Sequence, residues 1–220
     1  MGIAMFKKLK TLSLAASVLV AGAAAGQAAT FDFVDLIDNP STGIGESSWS
    51  TSAVAGGWTV GGITVNASAQ GGYNAYLDSN VAGLGVCKVT GTLNNVPGQC
   101  TPGKDDNVQT GETLVLSFSR LVKITSIILR DAAHNLFVLG DTMSFTGASG
   151  SGTYVTGTTG AALSNLFGQG TSWDFTTGRL GKEFYISSIT VAAVPVPAAG
   201  LMLLTGLGGI AVARRRRKQA

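Results

Sequence analysis

The chain has 220 residues, 31 of them glycine, with only 12% charged residues and a formal net charge of +3. That positive sign belongs to the two ends: between residues 29 and 193 seven basic residues (Lys88, Lys104, Arg120, Lys123, Arg130, Arg179 and Lys182) stand against all twelve acids, a net charge of −5. An acidic, sparsely charged body of about 165 residues suits one domain with a real core and argues against nucleic acid as a partner.

Lys7, Lys8 and Lys10 open the chain, followed by an uncharged apolar run over residues 12–25 and the small residues Gly26-Gln27-Ala28-Ala29. Basic, apolar and small-residue regions in that order form a secretory signal peptide, residues 1–28, cut by signal peptidase after Ala28. No Cys follows the apolar run, so a lipoprotein anchor is not expected.

In the body, residues 29–193, apolar side chains recur at every second position, the period of a strand. Strands are expected over 31–37, 58–65, 114–118, 123–129, 142–145, 171–175 and 184–191, separated by turn formers such as Asn39-Pro40, Gly61-Gly62 and Pro102-Gly103. Ser187-Ser188 is where a bulge would switch the register of the last strand. Ile127-Ile128-Leu129 implies either a central strand buried on both faces or a slip in the alternation. Residues 161–167, enclosed by Gly160 and Gly168, have room for about one helical turn. No internal repeat of fixed period is present, which disfavours a solenoid or propeller. The expected fold is all-β: a two-sheet antiparallel β-sandwich, jelly-roll-like, flanked by an N-terminal signal peptide helix and a C-terminal transmembrane helix.

Cys87 and Cys100 are the only cysteines. In an exported protein the default is a disulfide; a metal site would need more ligands than two cysteines and the distant His134.

The tail, residues 194–220, begins Val194-Pro195-Val196-Pro197-Ala198, continues uncharged over 198–213 and ends in Arg214, Arg215, Arg216, Arg217 and Lys218. The uncharged run reaches about 25 Å as a helix, a marginal membrane span. The basic cluster stays cytoplasmic, which orients the tail with the body outside. The order of proline motif, short span and Arg cluster resembles the PEP-CTERM sorting signal in its Val-Pro-Leu-Pro-Ala variant, with Val196 where the name-giving pattern has Glu. That resemblance implies recognition by an exosortase, a membrane protease that removes the tail, and delivery to the surface of a Gram-negative cell, often in species making exopolysaccharide. Gly83-Leu84-Gly85-Val86-Cys87, Cys100 with residues 105–108, Gly111-Glu112 and residues 130–134 resemble recurring elements of the ectodomains that precede such tails.

Candidate chemistry in the body is sparse. Asp105, Asp106, Asn107 and Glu112 are oxygen ligands of the kind an extracellular hard cation such as calcium takes, without EF-hand spacing. A solvated acidic turn is the competing reading. Tyr73 and Tyr76, in a Gly/Asn turn region, are the candidates for glycan contact, whereas Trp58 and Trp173 lie in alternating runs and read as core. His134 is the only histidine, with Asp131 three positions before it; hydrogen bonds from Arg130, Asp131 and His134 that tie a loop are preferred to a catalytic dyad. No Gly-x-Ser-x-Gly elbow is present.

The expectation is an exported surface or matrix protein with a structural or binding role, no catalytic residues and no cofactor besides possible calcium. Its partners are signal peptidase and exosortase during processing, the membrane through the tail, and exopolysaccharide as a candidate ligand. Alternatives are a carbohydrate-binding module, a hydrolase, or a permanent single-pass inner-membrane protein.

Overall fold

The longest alternating stretch of the sequence becomes the longest strand. In this computed structural model, which describes residues 27–93, 96–101, 103, 105–177 and 181–195, strand β9 runs unbroken over Leu114–Asp131. It joins two runs that the sequence separates at the exposed Ser119-Arg120-Leu121. The first part of β9 lies between β4 (Ile63–Ala69) and β12 (Gln169–Thr176). Beyond β4 lies β3 (Trp58–Val60), and beyond β12 lie β10 (Thr142–Gly147) and β11 (Gly150–Val155). The second part of β9 pairs with β13 (Phe184–Ala193), whose other edge carries β1 (Ala28–Asp32) and β6 (Gly83–Cys87). From β6 the sheet continues to β5 (Asn74–Asp78) and β2 (Ser47–Ser48), while β7 (Thr90–Leu93) and β8 (Val96–Cys100) form a separate hairpin. Every pairing is antiparallel, and the two α-helices are short, so the protein is all-β.

Core formation follows the alternation. Leu114, Leu116, Phe118, Val122, Ile124, Ile127 and Leu129 of β9 are buried. Phe31 of β1 meets Trp58 of β3 at 5.3 Å and Phe118 of β9 at 6.0 Å between ring centroids, joining the two parts of the sheet. Trp173 of β12 is fully buried, edge-on to Phe118, and its indole N–H donates to the Phe167 carbonyl at 3.1 Å. Burial of such aromatic area contributes a few kcal/mol per side chain, about 2 to 3. The core assignment of Trp173 holds, and Trp49 and Trp58 also pack into the core.

The structure corrects two expectations and decides a third. The segment 31–37 is not one strand: the chain leaves β1 at Asp32 and forms helix α1 (Phe33–Asp38). Asp32 caps it, accepting from the Asp35 N–H at 3.0 Å. A continued strand would place Asp35 on the same face as Phe31 and Phe33, whereas the helix buries Phe33 and Ile37 at i and i+4 and turns Asp35 outward. At Ile127-Ile128-Leu129 the slip in the alternation holds: burial passes from Val122 and Ile124 to Ile127 and Leu129, and Ile128 is 44% exposed. The strand buried on both faces is β13, from Phe184 to Ile189. Finally, residues 160–167 make a full helix α2 (Gly160–Phe167) of two turns, ended by Gly168 at φ 67°.

The register shift in β13 falls between Ile186 and Ser188, where the sequence suggests it. Gly61-Gly62 forms the β3–β4 turn with φ of 54° and 70°, a pair of left-handed residues that only glycine adopts without strain. Residues 1–26 of the expected signal peptide and the expected span at 198–213 lie outside the described residues, whereas Ala28 opens β1; no helix among the described residues is long and apolar enough to cross a membrane.

Cys87 at the end of β6 and Cys100 at the end of β8 form a disulfide, with Cα atoms 5.7 Å apart. It is packed against the buried ring of Tyr76 and fastens the β7–β8 hairpin to the main sheet. Replacement of both cysteines by serine is expected to lower the unfolding free energy by about 3 kcal/mol, measured by urea titration of oxidised wild type against the double variant.

Candidate functional site

Where the β5–β6 hairpin, the chain after Cys100, the loop after β9 and the start of β13 meet, they enclose a cavity of about 540 Å³ whose walls are mainly polar. Asp78 ends β5, Asn80 lies in the following turn, Glu46 precedes β2, and Glu183 and Tyr185 open β13. Asp106 and Asn107 arrive from the segment after the disulfide, held by a two-way bridge in which Val108 N–H donates to Phe184 O at 2.8 Å and Phe184 N–H donates to Val108 O at 3.2 Å. His134 completes the wall from the loop after β9.

Close approach of these segments depends on Gly85. A Cβ there would collide with the carbonyl oxygen of Asp106 and crowd the Cα of Asn107, so the acidic segment lies on β6 only because that strand has no side chain at this position. The β8 strand supports the site from the other side: Gln99 Nε2 donates to the Glu46 carbonyl at 2.6 Å.

Two tyrosine–carboxylate pairs organise the interior. Tyr185 Oη donates to Asp106 Oδ1 at 2.5 Å, and Tyr76 Oη donates to Glu46 Oε1 at 2.5 Å. Glu46 Oε2 also accepts from Ser79 Oγ at 3.1 Å. His134 Nδ1 lies 3.0 Å from the Asn80 carbonyl, which only accepts, so this nitrogen carries the proton. Its Nε2 lies 3.2 Å from Asp78 Oδ2, near enough for charge to act but not aligned as a hydrogen bond. The His134 ring stands edge-on to Tyr185 at 5.3 Å. Backbone strain is concentrated here: Asn80, Val81 and His134 are the described non-glycine residues with positive φ, at 56°, 62° and 62°.

Burial dominates the titration of the site. The Asp78 carboxyl is pushed up to about 7 by removal from water, then by the neighbouring charges of Asp106 and Glu46. Burial also raises Asp106, against the lowering effect of the Tyr185 hydrogen bond. The Tyr185 phenol is driven above its usual range by burial and by its bond to Asp106.

The four residues read as calcium ligands do not converge. Lys88 Nζ bridges Asp105 Oδ1 at 3.1 Å and Glu112 Oε1 at 3.0 Å, supplying the positive charge that a cation would bring. Asp106 and Asn107 turn away into the cavity. Among the described residues no group of three or more His, Cys, Asp or Glu side chains is arranged to hold a metal ion. Of the glycan candidates, Tyr76 is fully buried and cannot stack on a sugar; the turn-like composition around it conceals a strand, β5, whose last four residues are all buried. Tyr73 is partly buried and packs on the core.

The loop-tying reading of residues 130–134 is correct. Asp131 Oδ1 accepts from the Ala133 and Asn135 N–H groups at 2.9 and 3.0 Å, and Arg130 Nη1 donates to the His134 carbonyl at 2.7 Å. The carboxylate facing the imidazole is Asp78, not Asp131, a pairing of distant residues with no signature in local spacing. Glu46, Asp78, Glu183 and Tyr185 are site residues that sequence reasoning missed; the Gly-x-Gly of residues 83–85, where a backbone must approach closely, is the signal nearest to them. Val194 and Pro195, the first residues read as a sorting motif, directly follow β13, with Val194 N–H donating to the Leu121 carbonyl at 3.0 Å; Val196, Pro197, Ala198 and residues 214–218 lie outside the described residues.

A second cavity of about 510 Å³ lies between α1 and the β9–β13 pair. Its carboxylates are already engaged: Asp32 caps α1, Asp35 Oδ1 accepts from the Asn39 side-chain Nδ2 at 2.9 Å, and Asp38 Oδ2 accepts from the Val81 N–H at 2.7 Å. The acidic cavity is therefore the stronger site. Comparison with protein-family models, with curated proteins and with solved structures returns no match.

Gly85→Ala is expected to destabilise the protein by about 3 kcal/mol, the upper range for overpacking, because the obstructing atoms are backbone; denaturant unfolding measures this. A carboxyl raised in the folded state contributes stability below its ordinary pKa and loses that contribution as pH climbs to its folded value. The melting temperature is therefore expected to rise as pH is lowered from about 8 to about 5, and Asp78→Asn to flatten that slope in a thermal scan.

Proposed function

We propose that this chain is an exported surface protein of the PEP-CTERM type whose body is a non-catalytic binding module. The observation that carries the reading is the junction at residue 194: the last strand ends at Ala193, and the proline motif, uncharged run and Arg cluster follow without a linker. Export agrees with the Cys87–Cys100 disulfide and with the acidic body. Signal peptidase would cut within the first step of β1, between Ala28 and Ala29, and exosortase beside β13. Ala28 pairs with Ala192, so both junctions lie at one end of the same strand pair.

The jelly-roll-like sandwich is the finer reading of the fold. It is supported by the Phe31 contacts to Trp58 and Phe118, which bring β1 against strands of the other part of the sheet. Binding is favoured over hydrolysis by the lining of the acidic cavity. Among the described residues it presents no serine, threonine or cysteine nucleophile, and both His134 nitrogens face protein atoms. A glycan ligand such as exopolysaccharide is a second reading, favoured by a cavity of about 540 Å³ rich in carboxylate and amide groups able to accept from hydroxyls.

Intact mass of the protein recovered from envelope and medium tests the proposal. The expected species begins near Ala29, ends within residues 195–197 and is two hydrogens light. A mass still containing Arg214 to Ala220 would make the chain a permanent single-pass membrane protein and end the surface-delivery reading.

A further inference from the structure

The acidic cavity is chemically one-sided. Its donors are already engaged: Tyr185 Oη–H on Asp106, Asn107 Nδ2 on Glu183 Oε2 at 3.2 Å, and His134 Nδ1–H on the Asn80 carbonyl. Two of its acceptors are not. Asp78 Oδ2 and Asn107 Oδ1 are sealed from solvent without a hydrogen-bond partner, on residues only 5% and 3% exposed. The orientation of Asn107 is forced, because its amide nitrogen must face the Glu183 carboxylate, leaving the oxygen as a stranded acceptor. A buried acceptor without a donor costs about 1 to 3 kcal/mol, so whatever enters this cavity gains by bringing donors.

Charge points the same way. Glu46, Asp78, Asp106 and Glu183 line the cavity, and His134 is the one basic side chain among its described lining residues. The ligand should therefore be a cation as well as a donor. A bare divalent ion is a poor fit, since it wants about six to eight oxygens converging on one point, and the described residues hold no such cluster of metal-ligating side chains. The carboxylates are instead distributed around a space large enough for a small organic molecule. A primary ammonium group meets both requirements, with its charge on three N–H donors and an attached body to occupy the remaining volume.

We propose that the acidic cavity binds a small polar molecule through a primary ammonium group, held between the Asp78 and Glu183 carboxylates and the Asn107 amide oxygen. This rests on the reading of the cavity as a binding site. Two sources carry such an ammonium, an amino sugar and a lysine-like side chain, and matched neutral compounds separate them.

Titration calorimetry on the intact protein in detergent micelles would compare glucosamine with glucose and N-acetylglucosamine, Nα-acetyl-lysinamide with Nα-acetyl-norleucinamide, and calcium alone. At least one amine should bind at least about tenfold more tightly than its neutral counterparts. Glu183→Gln, which keeps an acceptor for Asn107, should weaken that amine about tenfold without lowering the melting temperature, and Asp78→Asn should act in the same direction. Equal binding of amine and neutral partner would overturn the charge inference while leaving the cavity a binding site. Tight binding of calcium that excludes the amines would overturn it in favour of a metal. Absence of binding by every probe would remove both this inference and the binding-site reading beneath it.

Discussion

The pairing of β13 with β9 is the interaction on which the rest of the molecule depends. β13 is hydrogen-bonded to β9 along its whole length, and its opposite edge receives β1 and β6 end to end. A strand so enclosed has no exposed edge, and its segment Phe184–Ile189 is buried on both faces. The bulge between Ile186 and Ser188 is part of the same design. It brings Ser187 into reach of the Ala82 carbonyl at 2.8 Å and sets Tyr185 toward Asp106. One edge of β13 thereby carries the N-terminal strand, and its first residues form a wall of the acidic cavity.

That cavity removes the Asp78 and Asp106 carboxylates from solvent, and its geometry shows how the charge is tolerated. Each of Glu46 and Asp106 receives a buried tyrosine hydroxyl, a strong donor that replaces water without adding charge. Asp78 Oδ2 has no hydrogen-bond donor aligned on it, with the His134 imidazole 3.2 Å away, and burial together with the charges of Asp106 and Glu46 raises its carboxyl. The disulfide supports this arrangement indirectly. By tying β8 to β6 it holds Gln99 on the Glu46 backbone and starts the segment that delivers Asp106 and Asn107. Lys88 plays a complementary part outside the cavity, compensating Asp105 and the buried Glu112.

Alternation of apolar residues made β3, β4, β9, β10, β12 and β13 legible in the sequence, because a half-buried strand must place every second side chain in the core, and turn-forming residues marked the β3–β4 turn and the bulge at Ser187-Ser188. The same rule failed at residues 33–37, where Phe33 and Ile37 satisfy a strand and a helix equally and the cap at Asp32 decides. It failed again at Tyr76, whose polar, glycine-rich neighbourhood resembles a turn although the strand is covered by the hairpin and disulfide.

The readings of a signal peptide and a sorting tail rest on short stretches of composition and that of a disulfide on the chain having two cysteines, so the sequence alone carries the expectation of an exported, tail-sorted, disulfide-bonded β protein. The acidic cavity is encoded differently. Glu46, Asp78, Asp106, His134 and Tyr185 come from separate turns and strands, and their meeting depends on register and on the missing side chain of Gly85. Only the folded chain assigns Lys88 to Asp105, Asp78 to His134 and Tyr185 to Asp106, because electrostatic partners are chosen by distance in space, and distance in space follows from strand order.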